Sequence, residues 1–350
     1  MIKRNRKADL IKAIAAFALI VINFSFSGAL GTFAKAMFRF ALPFFFFIGG
    51  YNYLDKEGKI DKKRAYQKVL RALLALLKAL LFYMIFYIFY QLVSKEMFAS
   101  FISRFTAEKL IKLLVTNDPL FYSHLWYFLA QLYICILMAL IVLASPGILY
   151  KKKVLFIASA VLALAYSFQA EFFAFDLFPL AYAFRNSDQM LIWYNLFIFR
   201  ALPFFLAGLA MRQSEKKEND VLWLTFIVMG LWIAGVERLA SNRECLAYLG
   251  TYLTLYGIAR FIHNGEDIGK TELTYIGNRY SQDIYIYHIA IGKLLELVLK
   301  KLSIYNNIIV YNVRFIFVAL LTLYFVKYMY KFEKRLREVR RKVMKSWKKV

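Results

Sequence analysis

Read along the chain, apolar residues gather in stretches of about 20, separated by short polar segments. An α-helix rises 1.5 Å per residue, so about 20 mainly apolar residues cross a hydrocarbon core of about 30 Å. Ten stretches meet that length: roughly 10–30, 33–54, 71–93, 124–144, 153–170, 191–211, 221–239, 245–263, 281–299 and 307–330. The pattern predicts an all-α polytopic integral membrane protein of about ten transmembrane helices. Residues 172–184 are apolar but carry Asp176 and Pro179, and read as an interfacial or re-entrant piece. In the longest polar interval, 94–123, the run FISRFTAEKLIKLL spaces Phe101, Phe105, Leu110 and Leu113 three to five apart. That spacing predicts a helix lying on the membrane surface.

Composition agrees with a bilayer as solvent. Of 350 residues, 61% are hydrophobic and 19% aromatic, with 35 Phe and 25 Tyr, an excess that one soluble core cannot hide. The hydrophilic segments are too short for a soluble domain, and no internal repeat is visible to support an inverted-repeat transporter. The first apolar run follows Lys3, Arg4, Arg6 and Lys7 and reads as an uncleaved span, being longer than a signal peptide's apolar region.

The net charge of +25 is explained by topology. With the N-terminus cytoplasmic, the segments 1–9, 55–71, 145–153, 212–220, 260–280 and 331–350 all lie inside. They hold about 30 Lys and Arg, against about 11 in the outside loops. Both termini are therefore expected in the cytoplasm, in the inner (plasma) membrane, with a membrane domain over 1–332 and a basic tail over 333–350. Membrane lipids are an expected partner, with anionic headgroups facing this charge, and nucleic acid is not. Cys135 and Cys245 form no CxxC pair and no His/Cys cluster, so they read as packing residues and no metal is expected.

Ionisable groups inside spans are costly and mark candidate sites. Lys12, Lys78, Lys293 and Arg314 sit near span ends, where snorkelling explains them as well as function does. Arg39 opens FRFALPFFFFIGGYNY and Arg200 opens FRALPFFLAGLAMR, each placing a cation ahead of Pro, Phe and Gly. Proline frees a carbonyl and kinks a helix, so a kink beside a cation suits a phosphate or carboxylate. Glu237 adjoins Arg238, and reads equally as a site residue or as an interfacial pair. Of the three histidines, His263 reads as interfacial. His124 and His288 lie within spans, where imidazole is the usual base for a hydroxyl near neutral pH.

In order, these segments resemble the acyltransferase-3 family of bacterial membrane O-acyltransferases. DLIKAIAAFALIVINFSF is similar to the family's first span, RFALPFFFFIGGY to its R-F-h-V-P-F-F-F-h-h-S-G-Y, and HLWYFLAQLY to its H-L-W-F-L. RALPFFLAGL and IGNRYSQDIYIYHI resemble later segments. The resemblance implies transfer of an acyl group, commonly acetyl, from cytoplasmic acyl-CoA to a hydroxyl of a sugar, polysaccharide or similar cell-envelope acceptor. It implies that Lys12 holds the basic position of a basic-x10-His signature, and that Asn23 stands where the family has His. Asparagine has no titratable nitrogen. His124 and His288 are then the imidazoles that could serve as base. The catalytic set read from this resemblance is Asn23, His124, His288 and Glu237, with Lys12, Arg39, Tyr51, Trp126 and Arg200 binding substrate. Acetyl-CoA is the expected donor. A degenerate member kept for binding, or a transporter, are the alternatives.

Overall fold

The computed structural model describes residues 5–55, 57–94, 102–172, 196–216, 219–241, 246–264 and 268–347. The apolar piece expected around 172–184 lies almost wholly outside the described residues, as do Cys245 and the first residues of the 191–211 stretch.

The described residues form helices and connecting turns, and each expected apolar stretch coincides with helix. The first helices are α1 (Arg6–Asn23), α2 (Gly28–Phe38), α3 (Ala41–Tyr51), α4 (Lys62–Ser94), α5 (Ala107–Thr116), α6 (Trp126–Ala144) and α7 (Lys152–Phe172). They are followed by α8 (Phe197–Arg200), α9 (Leu202–Arg212), α10 (Asp220–Ser241), α11 (Leu249–His263), α12 (Glu272–Arg279), α13 (Ser281–Lys301) and α14 (Ile308–Trp347). Among the described residues, five helical stretches are long and apolar enough to cross a membrane: Gly28–Tyr51, Lys62–Ser94, Ser123–Ala144, Asp220–Ser241 and Ile308–Arg335. The chain is thus an all-helical membrane protein. The segment read as a separate basic tail continues the last helix through Trp347, which holds neither Gly nor Pro to stop it.

Helix α1 is the axis, packed by α2, α3, α11, α12, α13 and α14. Its many alanines follow from that place, since Ala13, Ala15 and Ala16 are completely buried and let neighbouring backbones come close. A Cβ on Gly277 of α12 would run into the Asp9 carbonyl of α1.

The structure interrupts two expected spans. The stretch 10–30 ends at Asn23, and the chain turns before Gly28, whose φ of 70° suits only glycine comfortably. The stretch 33–54 breaks at Arg39 and Phe40, because Pro43 has no N–H for the Arg39 carbonyl. Pro203 acts likewise between α8 and α9. The two Pro-Phe-Phe segments pack side by side. A Cβ on Gly50 would strike the Phe205 carbonyl, and one on Gly208 the Phe47 carbonyl. They run in the same direction, with Arg39 and Arg200 on one cavity and Tyr51 beneath the Arg212 guanidinium, 5.3 Å away, at the other end.

Outside the bundle lies α5, the amphipathic helix expected from 94–123. Thr106 caps it by accepting from the Lys109 amide, and Asn117 ends it in the left-handed conformation, φ 60°. The Tyr133 hydroxyl donates to the Leu114 carbonyl (2.7 Å) and fastens α5 to α6.

Candidate functional site

Three chambers follow one another through the bundle. At the end where α1 and α4 begin, a chamber of about 890 Å³ is lined by Asp55, Arg64 and Arg212. It shares Asn52, Tyr53, Lys68 and Arg71 with a second chamber of about 610 Å³ that reaches Lys12, Gln131 and Asp283. The third, about 460 Å³, opens at the opposite end, where Asn23, Arg39, His124, Trp126 and Arg200 line it. Tyr285 lines both the second and the third.

Helix periodicity places these groups. On α1, Lys12 and Asn23 are eleven residues apart, about 16 Å, so the first falls in the second chamber and the last in the third. Helix α13 runs in the same sense: Asp283 pairs with Lys78 (2.8 Å), Tyr285 stands between chambers, and His288 lies a turn further, beside Asn23.

Tyr285 is held on all sides. Its hydroxyl donates to the His124 carbonyl, and its ring lies 5.1 Å from that of Tyr127 and 5.4 Å from that of Phe128. The His124 ring sits 4.9 Å from Tyr83 and 5.5 Å from His288. Tyr83 in turn donates to the Ile286 carbonyl (2.7 Å), tying α4 to α13.

Hydrogen bonds fix the state of the central pair. The His288 Nδ1 faces the carbonyls of Tyr285 (2.9 Å) and Ile284 (3.1 Å), which only accept, so Nδ1 carries the proton. Asn23 Nδ2 donates to the Leu19 carbonyl (2.8 Å), which orients its amide. Its second N–H then meets His288 Nε2 at 3.2 Å, so that nitrogen offers a lone pair and Asn23 covers it. His288 is wholly buried, whereas Asn23 is exposed to the third chamber.

The other predicted residues divide clearly. Arg39, His124, Trp126 and Arg200 come together in the third chamber, the Arg200 guanidinium 4.3 Å from the Trp126 ring. Lys12 lies in the second, bonded to Asp9 at 3.3 Å. Two residues stand apart. Tyr51 donates its hydroxyl to His263 Nδ1 (3.0 Å), while His263 Nε2 donates to the Ser214 carbonyl (2.8 Å). His263 is therefore a buried tie between helices, not the interfacial residue expected. Glu237 accepts from the Gly250 amide (3.4 Å) where α10 meets α11, and lines none of the three chambers.

The other span-end cations are also ion-paired. Lys78 bonds Asp283 and reaches Glu333 (3.5 Å), and Lys293 and Arg314 meet the same Glu296 carboxylate at 3.1 and 3.6 Å. Sequence reasoning missed Tyr285 and Asn117 as site residues, whereas Lys68 and Arg71 belong to the basic 55–71 segment expected to meet the donor's phosphates. Tyr285 carried a signal, standing i,i+3 from His288 on one helix face, but 25 tyrosines dilute it. Among the described residues no three His, Cys, Asp or Glu side chains gather to hold a metal ion.

A family model described as an acyltransferase domain, of the acyltransferase-3 type, matches residues 5–330. No curated protein and no solved structure matches the chain.

Proposed function

The chain belongs to the acyltransferase-3 family of membrane acyltransferases, and we propose that it moves an acetyl group from cytoplasmic acetyl-CoA to a hydroxyl held at the other side of the membrane. The observation that carries this reading is the series of three chambers, the first two sharing Asn52, Tyr53, Lys68 and Arg71 and the last two standing on either side of Tyr285. The end bearing Arg64, Lys68, Arg71 and Arg212 is taken as cytoplasmic, in keeping with the positive-inside rule. Phosphates of the donor meet these cations, and the slender acyl arm extends past Lys12 and Gln131 toward Tyr285. The acceptor enters the third chamber from the outside.

The chemistry asks for a base beside the meeting point. The acceptor hydroxyl oxygen attacks the thioester carbonyl carbon, a C–O bond forms, and the C–S bond breaks. The hydroxyl proton passes to an imidazole and then to the departing thiolate sulfur, so the enzyme returns to its starting state. His288 Nε2 has the free electron pair for this step, provided the Asn23 amide swings aside and lets the hydroxyl take its place. Asn23, once displaced, can still donate to the oxyanion that develops on the thioester.

A second reading is favoured by the same contact. With Asn where the family has His, and with the Asn23 N–H occupying the His288 lone pair, the chain could retain binding and have lost transfer. Membranes containing the chain, supplied with radiolabelled acetyl-CoA, separate the two. Label transferred to a glycan or lipid by the unaltered chain, and lost in His288→Ala, supports the transferase. Acetyl-CoA binding without transfer, restored to transfer by Asn23→His, supports the binding protein.

A further inference from the structure

The third chamber contains a group that the transfer reaction leaves unused. Asn117 lines it, is 4% exposed, and among the described residues neither its amide nitrogen nor its amide oxygen has a hydrogen-bond partner. A buried carboxamide without partners is destabilising, because each polar group has lost water and gained nothing in exchange. Its position is not accidental to the fold, because the left-handed backbone at Asn117 ends α5, and its own amide N–H donates to the Lys112 carbonyl. The same wall carries Arg39, Arg200 and Lys112, the last ion-paired with Glu108 at 2.6 Å, against the single carboxylate of Asp118 among the described lining residues.

We propose that this chamber is a subsite for an anionic acceptor, a polyol or sugar bearing a phosphate or carboxylate close to the hydroxyl that is acylated. Arg39 and Arg200 hold the anion, and the Asn117 carboxamide donates to one oxygen of the ligand and accepts from a neighbouring hydroxyl. Guanidinium groups suit planar, two-pronged recognition of such anions. A carboxamide that both donates and accepts suits vicinal hydroxyls. The Trp126 ring is covered by Arg200, so the anion meets the cation and not a bare aromatic platform. The inference rests on the acyltransferase reading only for the word acceptor; anion binding stands or falls separately.

Purified full-length chain in nanodiscs of neutral lipid provides the test, with glycerol 3-phosphate, glucuronate, glycerol and glucose as probes in equilibrium titrations. The anionic probes bind saturably and the neutral ones at least tenfold more weakly. Arg39→Gln weakens the anionic probes about tenfold or more. Asn117→Gly, which retains the left-handed backbone but removes the carboxamide, weakens them several-fold, and Asn117→Asp does so more strongly by repulsion. Retention of acetyl-CoA binding by each variant shows that it is folded. Competition by phosphatidylglycerol nanodiscs would identify the anion's source as a lipid headgroup, and competition by soluble phosphoglycan alone would identify a polymer; either supports the subsite. Equal binding of charged and neutral probes, or binding unaltered by both Arg39→Gln and Asn117→Gly, overturns it. Anion binding with no acetyl transfer to any probe would leave the subsite standing and remove the transferase reading instead.

Discussion

Asn23 and His288, 265 positions apart, meet through a 3.2 Å hydrogen bond in which the asparagine amide covers the only free lone pair of the imidazole. The pair puts the position where the resemblance implies a histidine in contact with an imidazole that is present. His288→Ala in the unaltered chain should lower acetyl transfer by about 10²–10⁴, the usual worth of a positioned general base. Asn23→His puts a second imidazole on the chamber wall beside a base already present, and the expected result is a rise of no more than several-fold; a rise of about 10²–10⁴ means that the unaltered chain lacked a working base. Initial rates at saturating acetyl-CoA measure both. If Asn23→His leaves the rate as it was while His288→Ala abolishes it, His288 alone is the base.

The close passage of α12 across α1 depends on one missing side chain. Gly277→Ala sets a methyl group against the Asp9 carbonyl and must push the helices apart. Overpacking of this kind costs about 1–3 kcal/mol. Thermal unfolding in detergent should show a lowered midpoint. Gly147→Ala, where a Cβ meets nothing within 4 Å, should leave the midpoint unchanged and serves as the control.

Apolar runs of span length located most of the helices, because a span's length is set by the bilayer and needs no partner to be read, but not α12, which lies in the polar interval 260–280. Prolines 43 and 203 likewise announced their breaks. What the sequence withheld was lateral: that the two Pro-Phe-Phe segments pack on each other, or that Lys7, read as a topology signal, is buried and bonded to Asp220 at 2.6 Å. Those contacts join residues more than a hundred positions apart, and no local pattern encodes them. His263 was misread for the same reason, since its two partners, Tyr51 on α3 and Ser214 just past the end of α9, come from other parts of the chain. Asn23 shows the opposite case. Its departure from the family pattern was legible, but the imidazole behind it was not.

Acid should loosen one turn at the mouth of the first chamber. The Asp55 carboxylate lies below its ordinary value of 3.8, chiefly because the Lys59 amide donates to it; the Glu57 amide and Arg64 (2.8 Å) lower it further, and partial desolvation opposes all three. A depressed carboxylate contributes stability that is complete above its unfolded pKa and disappears as pH falls through the folded one. Hydrogen exchange at the Glu57 and Lys59 amides, corrected for intrinsic rates, should therefore be slow at neutral pH and accelerate only below about pH 4. Asp55→Asn should show fast exchange throughout. Protection that persists at pH 2 would mean the turn is held by other contacts.

Lys68 and Arg71 are shared by the two chambers nearest the basic end, one helical turn apart on α4. Lys68 Nζ donates to the Asn52 carbonyl (2.7 Å), which holds it at the boundary between them. A phosphate moving from the first chamber toward the second must pass both cations. Charge-assisted hydrogen bonds of this kind are each worth about 1.5–3 kcal/mol, so Lys68→Gln and Arg71→Gln should each raise the KM for acetyl-CoA by roughly tenfold or more, with kcat little changed. That split marks a contact made equally in the ground and transition states. Dephosphocoenzyme A thioesters, which lack the ribose phosphate, discriminate further. If Arg71→Gln weakens the full donor but not the dephosphorylated one, Arg71 reads that phosphate; if both donors weaken alike, it reads the pyrophosphate; and if neither KM moves, the donor does not travel this route.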